Sequence, residues 1–187
     1  LGTDQPFFTF FLLDAPHEPY SYPKEFVRFE PSVNDINYLS LDKHVDIEPF
    51  YNHYKNAVNY SDHVVGEFLD VVKKRDLLKN SIIIITSDHG AEFYEHGFWG
   101  HNSAFTKEQV MAPFILYLPG KGAKKIDAIT SHLDIAPTLL ELMGSSTNHD
   151  NHSMGRSLLS NIEENRNFIV SSGWGESAII TEEATLV

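Results

Sequence analysis

Asp88 and His89 stand side by side in the run Ser87-Asp88-His89-Gly90. A carboxylate next to an imidazole offers one oxygen and one nitrogen donor, a pair suited to a divalent cation. Gly90 then lets the backbone turn away at once. The plainer alternative is that Asp88 caps a turn and His89 packs against it. Two further imidazoles occupy comparable settings, His17 in Asp14-Ala15-Pro16-His17-Glu18-Pro19-Tyr20 and His101 in Trp99-Gly100-His101-Asn102. His17 would be displayed on a loop at a strand end, and His101 could face a common site with His89.

Such side chains work only if a rigid scaffold holds them, and strand ends of an α/β sheet are the usual place. Residues 82–86 read Ile-Ile-Ile-Ile-Thr, a β-branched run too short for a typical helix, and so predict a buried strand that delivers Asp88 and His89 at its carboxyl end. Residues 7–13, Phe-Phe-Thr-Phe-Phe-Leu-Leu, predict a second central strand, ending at the His17 segment. Pro16 and Pro19 predict that this segment is a stiff, extended loop. Between the two strands, Pro49 opens a long amphipathic helix to about Arg75, its apolar residues recurring at three- and four-residue spacing. A helix between two strands predicts a crossover and parallel pairing.

The remaining elements follow the same signals. Residues 21–46 form an irregular excursion that aromatics Tyr22, Phe26, Phe29 and Tyr38 would pin down, long enough to serve as a cover. The glycine-rich stretch 91–102 predicts a tight loop folding back over the strand end and carrying His96 and His101. A further strand at 113–120, an edge-like segment at 126–130, a helix at 134–144 with Asp134 as its N-cap, a strand at 168–171 and a hairpin beginning at 177–181 complete the reading. His53 and His63 on the long helix, His44, and His149 and His152 in the polar stretch 145–153 read as packing or surface residues rather than ligands.

Composition narrows the function. The chain has 187 residues, 42% of them apolar, and a formal net charge of −12; one domain or most of one is expected. With 14 basic residues against 26 acidic ones, no nucleic-acid partner is expected. The absence of cysteine excludes a thiolate ligand or thiol nucleophile from these residues. The longest apolar runs fall far short of the ~20 residues that span a bilayer.

The ordered set of motifs resembles the sulfatase branch of the alkaline phosphatase superfamily over nearly the whole chain. It comprises His17-Glu18-Pro19-Tyr20, Tyr60-Ser61-Asp62, Ser87-Asp88-His89-Gly90, Glu95-His96-Gly97-Phe98-Trp99-Gly100-His101, Ala112-Pro113-Phe114, Asp134-Ile135-Ala136-Pro137-Thr138 and Met154-Gly155-Arg156-Ser157. Within that branch, Leu13-Asp14-Ala15-Pro16-His17 and Trp99-Gly100-His101-Asn102-Ser103-Ala104-Phe105 are most similar to the periplasmic domains of YejM/PbgA-type inner-membrane proteins, relatives of lipoteichoic acid synthases and phosphoethanolamine transferases.

The resemblance implies an alkaline phosphatase-like α/β fold with a mostly parallel central sheet flanked by helices. Asp88 and His89 would be metal ligands, and His17 and His101 would contact the sulfate or phosphate group as catalytic and substrate-binding residues. The implied cofactor is a divalent ion (zinc, manganese, magnesium or calcium). The implied partners are a phosphate or sulfate ester, of an envelope lipid or glycan, and a membrane at the periplasmic or extracytoplasmic face, reached through an N-terminal tether. In this family the nucleophile and further acidic ligands lie upstream of the region matched, and nothing here corresponds to them. The expectation is therefore that residues 1–187 are the C-terminal portion of one sulfatase-like domain, holding a metal weakly or not at all and inactive alone. Its parent would be a metal-dependent hydrolase or transferase, the alternative being a catalytically inactive module that binds lipid or partner proteins in envelope regulation.

Overall fold

The computed structural model describes residues 5–37, 39, 41–42, 44–145, 153–159 and 166–187. Tyr38, His149 and His152 therefore lie outside the described residues. The chain divides into two units: Leu1–Ile84 with Phe93–Gly97 and Leu116–Gly120, and Ile85–Glu92 with Phe98–Ile115 and Lys121–Val187.

The first unit is built on helix α1, Glu48–Lys74, which has proline in its first turn and Lys73 and Lys74 in its last. Both features suit the unpaired N–H groups and dipole of a helix. The face it buries is partly polar: Asn52, Asn56, Ala57, Ser61 and Val72 are the buried residues. The asparagines explain how the irregular excursion is held. Asn56 Oδ1 accepts from the backbone N–H groups of Arg28 and Phe29, both at 2.8 Å, and Asn56 Nδ2 donates to Phe29 O at 3.0 Å. Asn52 Nδ2 donates to Pro31 O at 2.9 Å. Buried side chains thus satisfy loop backbone that has no ladder of its own. Aromatic contacts add to this, with the Phe26 ring 4.8 Å from that of Tyr60.

Residues 7–13 do not form the expected strand, nor the parallel partner that α1 would connect to residues 83–86. Their backbone carries no ladder among the described residues. Phe8, Phe10 and Leu12 are 87%, 75% and 80% exposed, while Phe11 packs on Phe68 at 4.7 Å. A β-rich composition specifies a strand only where a neighbouring strand takes up its hydrogen bonds.

Strand β1, Ile83–Thr86, is the predicted one and pairs with β4, Phe114–Tyr117, in a two-stranded sheet. Thr86 Oγ1 donates to Pro113 O at 2.8 Å and the Tyr117 hydroxyl donates to Leu78 O at 3.2 Å. The end of one strand thus meets the start of the other, which is the antiparallel sense. A second small sheet pairs β2, Glu92–Phe93, with β3, Trp99–Gly100. Helix α2, Lys107–Val110, follows.

In the second unit, β5 (Ile169–Ser172), β6 (Ser177–Ile180) and β7 (Thr185–Leu186) form an antiparallel sheet in register Ile169↔Ile180 and Ile180↔Thr185. The described sheets are thus small and antiparallel, not the mostly parallel sheet expected. Short return connections allow antiparallel neighbours, whereas parallel ones need a crossover that rejoins the same sheet. Residues 126–130 form no strand. Helix α3, Ile135–Leu142, is shorter than expected, and Asp134 does not cap it with its side chain. Instead Ser131 and Asp134 form a capping box around the single 3₁₀ turn His132–Asp134.

Candidate active site

Strand β1 runs out at Thr86, and the next residues stay close to it. Ser87 O accepts from His132 Nε2 at 2.8 Å, a contact the spacing of His132 gave no means of anticipating. Asp88 Oδ1 accepts from the backbone N–H of His89 at 3.1 Å, the local turn that a short carboxylate makes. His89 Nδ1 lies 2.8 Å from Gly90 O. Since a carbonyl can only accept, Nδ1 carries the proton and the Nε2 lone pair is left for another partner. That nitrogen is 3.6 Å from Asp88 Oδ2, with 88% of the Asp88 side chain exposed.

Gly90 is required by close approach. Its N–H donates to Gln109 O at 2.9 Å, and a Cβ at this position would sit 2.1 Å from Glu108 O. Crossing there brings β1's end against the segment that follows His101. The rings of His89 and His101 stack with centroids 4.0 Å apart and planes inclined by 26°. Three of the four predicted residues, Asp88, His89 and His101, are therefore adjacent. His96 is exposed.

His17 belongs to the first unit. Its surroundings are two consecutive turns, His17 N–H to Asp14 O at 2.9 Å and Tyr20 N–H to His17 O at 2.7 Å, rather than the stiff extended loop its prolines predicted. His17 Nδ1 is 2.9 Å from Glu18 O. Tyr20, at φ 62° and 1% exposed, anchors that turn against Tyr54, with rings 5.4 Å apart. His53 has a structural role: its Nδ1 is 2.9 Å from the Tyr22 hydroxyl and its Nε2 3.2 Å from Pro19 O. Burial lowers its pKa below the ordinary value, partly offset by the Pro19 carbonyl and by Asp35.

Sequence reasoning missed the groups that hold the His101 segment. Glu92 is completely buried and Gln109 is 3% exposed. Glu92 Oε2 accepts from Thr106 Oγ1 at 2.6 Å and from Gln109 Nε2 at 3.0 Å, and Oε1 accepts from the Phe98 N–H at 3.1 Å. An acidic residue inside the apolar run Ala91-Glu92-Phe93-Tyr94 was the one available signal, since carboxylates are rarely buried without donors. Beside His101, an open cavity of about 330 Å³ is lined by Asn102, Ser172, Gly173 and Trp174, and the Trp174 side chain lies 93% exposed.

A family model described as Sulfatase matches residues 2–145. The chain belongs to the sulfatase family. It is 31% identical over 169 residues to a protein named Sulfatase from Formosa agariphila, covering 75% of this chain and 33% of that protein. It is 23% identical over 139 residues to Inner membrane protein YejM of Salmonella typhimurium, covering 74% of this chain and 23% of that one. Among solved structures, BT33494S-sulf of the glycosaminoglycan-metabolising locus of Bacteroides thetaiotaomicron superimposes with a TM-score of 0.56 at 23% identity. That match covers 76% of this chain and 34% of the other, and supports the α/β fold. The chain thus spans between 23% and 34% of the length of these relatives.

The sulfatase-family chain carries donors that fit a divalent cation. His89 Nε2 has its lone pair available because Nδ1 is engaged by Gly90 O, the outer hydrogen bond that orients a metal-binding imidazole. Asp88 Oδ2 lies at a separation that two ligands of one ion can have. Two donors fall short of the four typical of zinc, and among the described residues no group of three or more such side chains is assembled. No helix among them is long and apolar enough to cross a membrane.

Proposed function

We propose that the protein to which this chain belongs cleaves or transfers a sulfate or phosphate ester, with Asp88 and His89 as two of its metal ligands. The observation that carries this reading is the stack of His89 on His101 beside Asp88, at the end of β1 and in a chain of the sulfatase family. A divalent cation bound there would offset negative charge on the ester oxygens. His101 would face the same anion and donate a hydrogen bond or proton to the oxygen that departs. His17 is assigned to the ester anion by its place in the motif His17-Glu18-Pro19-Tyr20. The further ligands and the nucleophile would come from the part of the relatives' length that lies outside this match.

The cavity beside His101 gives the alcohol portion of the ester a place to sit, with the Asn102 and Ser172 side chains as polar contacts and the Trp174 indole as an apolar face. A lipid or glycan of the cell envelope suits that mixture. The relative named an inner membrane protein supports action at a membrane, and the resemblance assigns it to the periplasmic or extracytoplasmic face. The catalytic reading is preferred to a purely binding module because Asp88, His89, His17 and His101 are all present at the positions of the family motifs.

The test is release of sulfate and of phosphate from aryl sulfate and aryl phosphate by the full-length protein, with and without Asp88→Ala and His89→Ala. Cleavage of at least one ester, lost in the variants, supports the proposal. Release of neither anion by the unaltered protein would count against the proposal and in favour of the binding module.

A further inference from the structure

The two stacked histidines stand on different segments, and one buried residue pair reaches both, the His101 segment through side chains and the backbone after His89 through the Gln109 carbonyl. Gln109 O accepts from the N–H of Gly90, the residue after His89, at 2.9 Å. Gln109 Oε1 accepts from the N–H groups of Ser103 and Ala104, both at 3.2 Å, just after His101. Gln109 Nε2 donates to Ser103 Oγ at 3.0 Å and to Glu92 Oε2. Glu92 also accepts from the N–H of Phe98, just before His101. Both sides of the His101 segment are thereby fixed to the same two side chains, and the backbone beside His89 is fixed to the main chain of one of them, Gln109.

We propose that Glu92 and Gln109 are positioning residues that set the His89–His101 stack for the reaction. Neither touches the reacting atoms; they act through the two imidazoles, so this inference rests on the ester-cleaving reading above. The pair is directional. An ionised carboxylate only accepts, so Glu92 draws the amide nitrogen of Gln109 toward itself and turns Oε1 toward the N–H groups of Ser103 and Ala104. An amide at position 92 cannot serve every donor that Glu92 serves. Whichever way it is turned, its NH₂ group faces either Phe98 N–H or the donors from Thr106 and Gln109. If Gln109 flips to meet it, Ser103 and Ala104 lose their acceptor. Exchanging the two residues restores the pattern: a glutamine at 92 accepts from Phe98 and donates to a glutamate at 109, which accepts from Ser103 and Ala104.

The experiment uses the full-length protein with Glu92→Gln, Gln109→Glu and the double exchange. Two readouts are taken, kcat and KM on the aryl ester that the unaltered protein cleaves, and ring-current shifts of the His89 and His101 imidazole signals by NMR. Each single variant is expected to lose about 100-fold in kcat, the scale of a misplacement of about 1 Å, with KM changed much less. The histidine signals should move away from their stacked values. The double exchange should recover both. Thr106→Val, which removes one donor to Glu92 and keeps the rest, should give a smaller change of the same kind and serves if the first variants fold poorly.

Single variants with unaltered histidine shifts, or a double exchange as impaired as the singles combined, would overturn the proposal. If the unaltered protein cleaves no ester, the ester-cleaving reading fails, and the histidine shifts alone decide whether Glu92 and Gln109 hold the stack.

Discussion

Asp134 and Arg166 form a two-pronged ion pair, Nη1 to Oδ2 at 2.6 Å and Nη2 to Oδ1 at 2.7 Å, with side chains only 1% and 7% exposed. The same carboxylate accepts from the N–H groups of Ser131 and Arg156 at 2.8 and 2.7 Å. This one aspartate therefore joins the turn before α3, the segment after it and the approach to β5. Thr138 extends the junction, its hydroxyl donating to Asp134 O while accepting from Leu158 N–H.

Breaking that pair from the arginine side leaves a buried carboxylate without its counter-charge. Arg166→Met is expected to cost about 3–5 kcal/mol of stability, read as a lowered midpoint in urea unfolding. Combining it with Asp134→Asn removes the stranded charge and should cost less than Arg166→Met alone. Equal stability of Arg166→Met and the unaltered protein would show that the pair contributes nothing.

Acid should loosen the first unit through His53. Burial holds its folded pKa below the ordinary value of 6.5, so as pH falls below that value the unfolded chain takes up a proton that the folded chain resists. The sign follows: the contribution to stability is complete above 6.5 and is lost as pH falls through the lower, folded pKa. Unfolding curves collected between neutral pH and mildly acidic pH should show this slope, and His53→Gln should flatten it. A slope unchanged by the substitution would assign the acid sensitivity to other groups.

Gly90→Ala tests the crossing beneath the site. A methyl group there meets Glu108 O at 2.1 Å, backbone that cannot yield without moving α2, so the Gly90–Gln109 hydrogen bond should break. An activity loss on the order of 100-fold is expected from displacement of the adjacent His89 by about 1 Å. Wild-type kcat in a folded Gly90→Ala protein would show that this crossing does not position the site.

Much of the architecture could be read from local signals. Helix α1 was legible because its apolar spacing and first-turn proline agree, and β1 because four isoleucines in succession leave little else to form. The pair Asp88-His89 and its companion His101 stood out for their chemistry and for flanking glycines that mark turns. Residues 7–13 read just as strongly as a strand, yet pairing is a property of two segments and the apolar run names only one. The turns around His17 escaped notice because two prolines are compatible with either extended or turned backbone. Glu92, Gln109 and Arg166 were hidden for a related reason: their partners lie 14, 17 and 32 residues away, and no periodicity links a buried polar side chain to a distant donor. The relatives place the chain in its family but leave the roles of these residues to experiment.

The central claim is that Asp88 and His89 bind a divalent cation. Its most direct test is the metal content of the purified full-length protein by mass spectrometry, compared with that of the Asp88→Ala, His89→Ala double variant. The account predicts bound divalent metal in the unaltered protein and its loss from a folded double variant. The same metal content in both would contradict it.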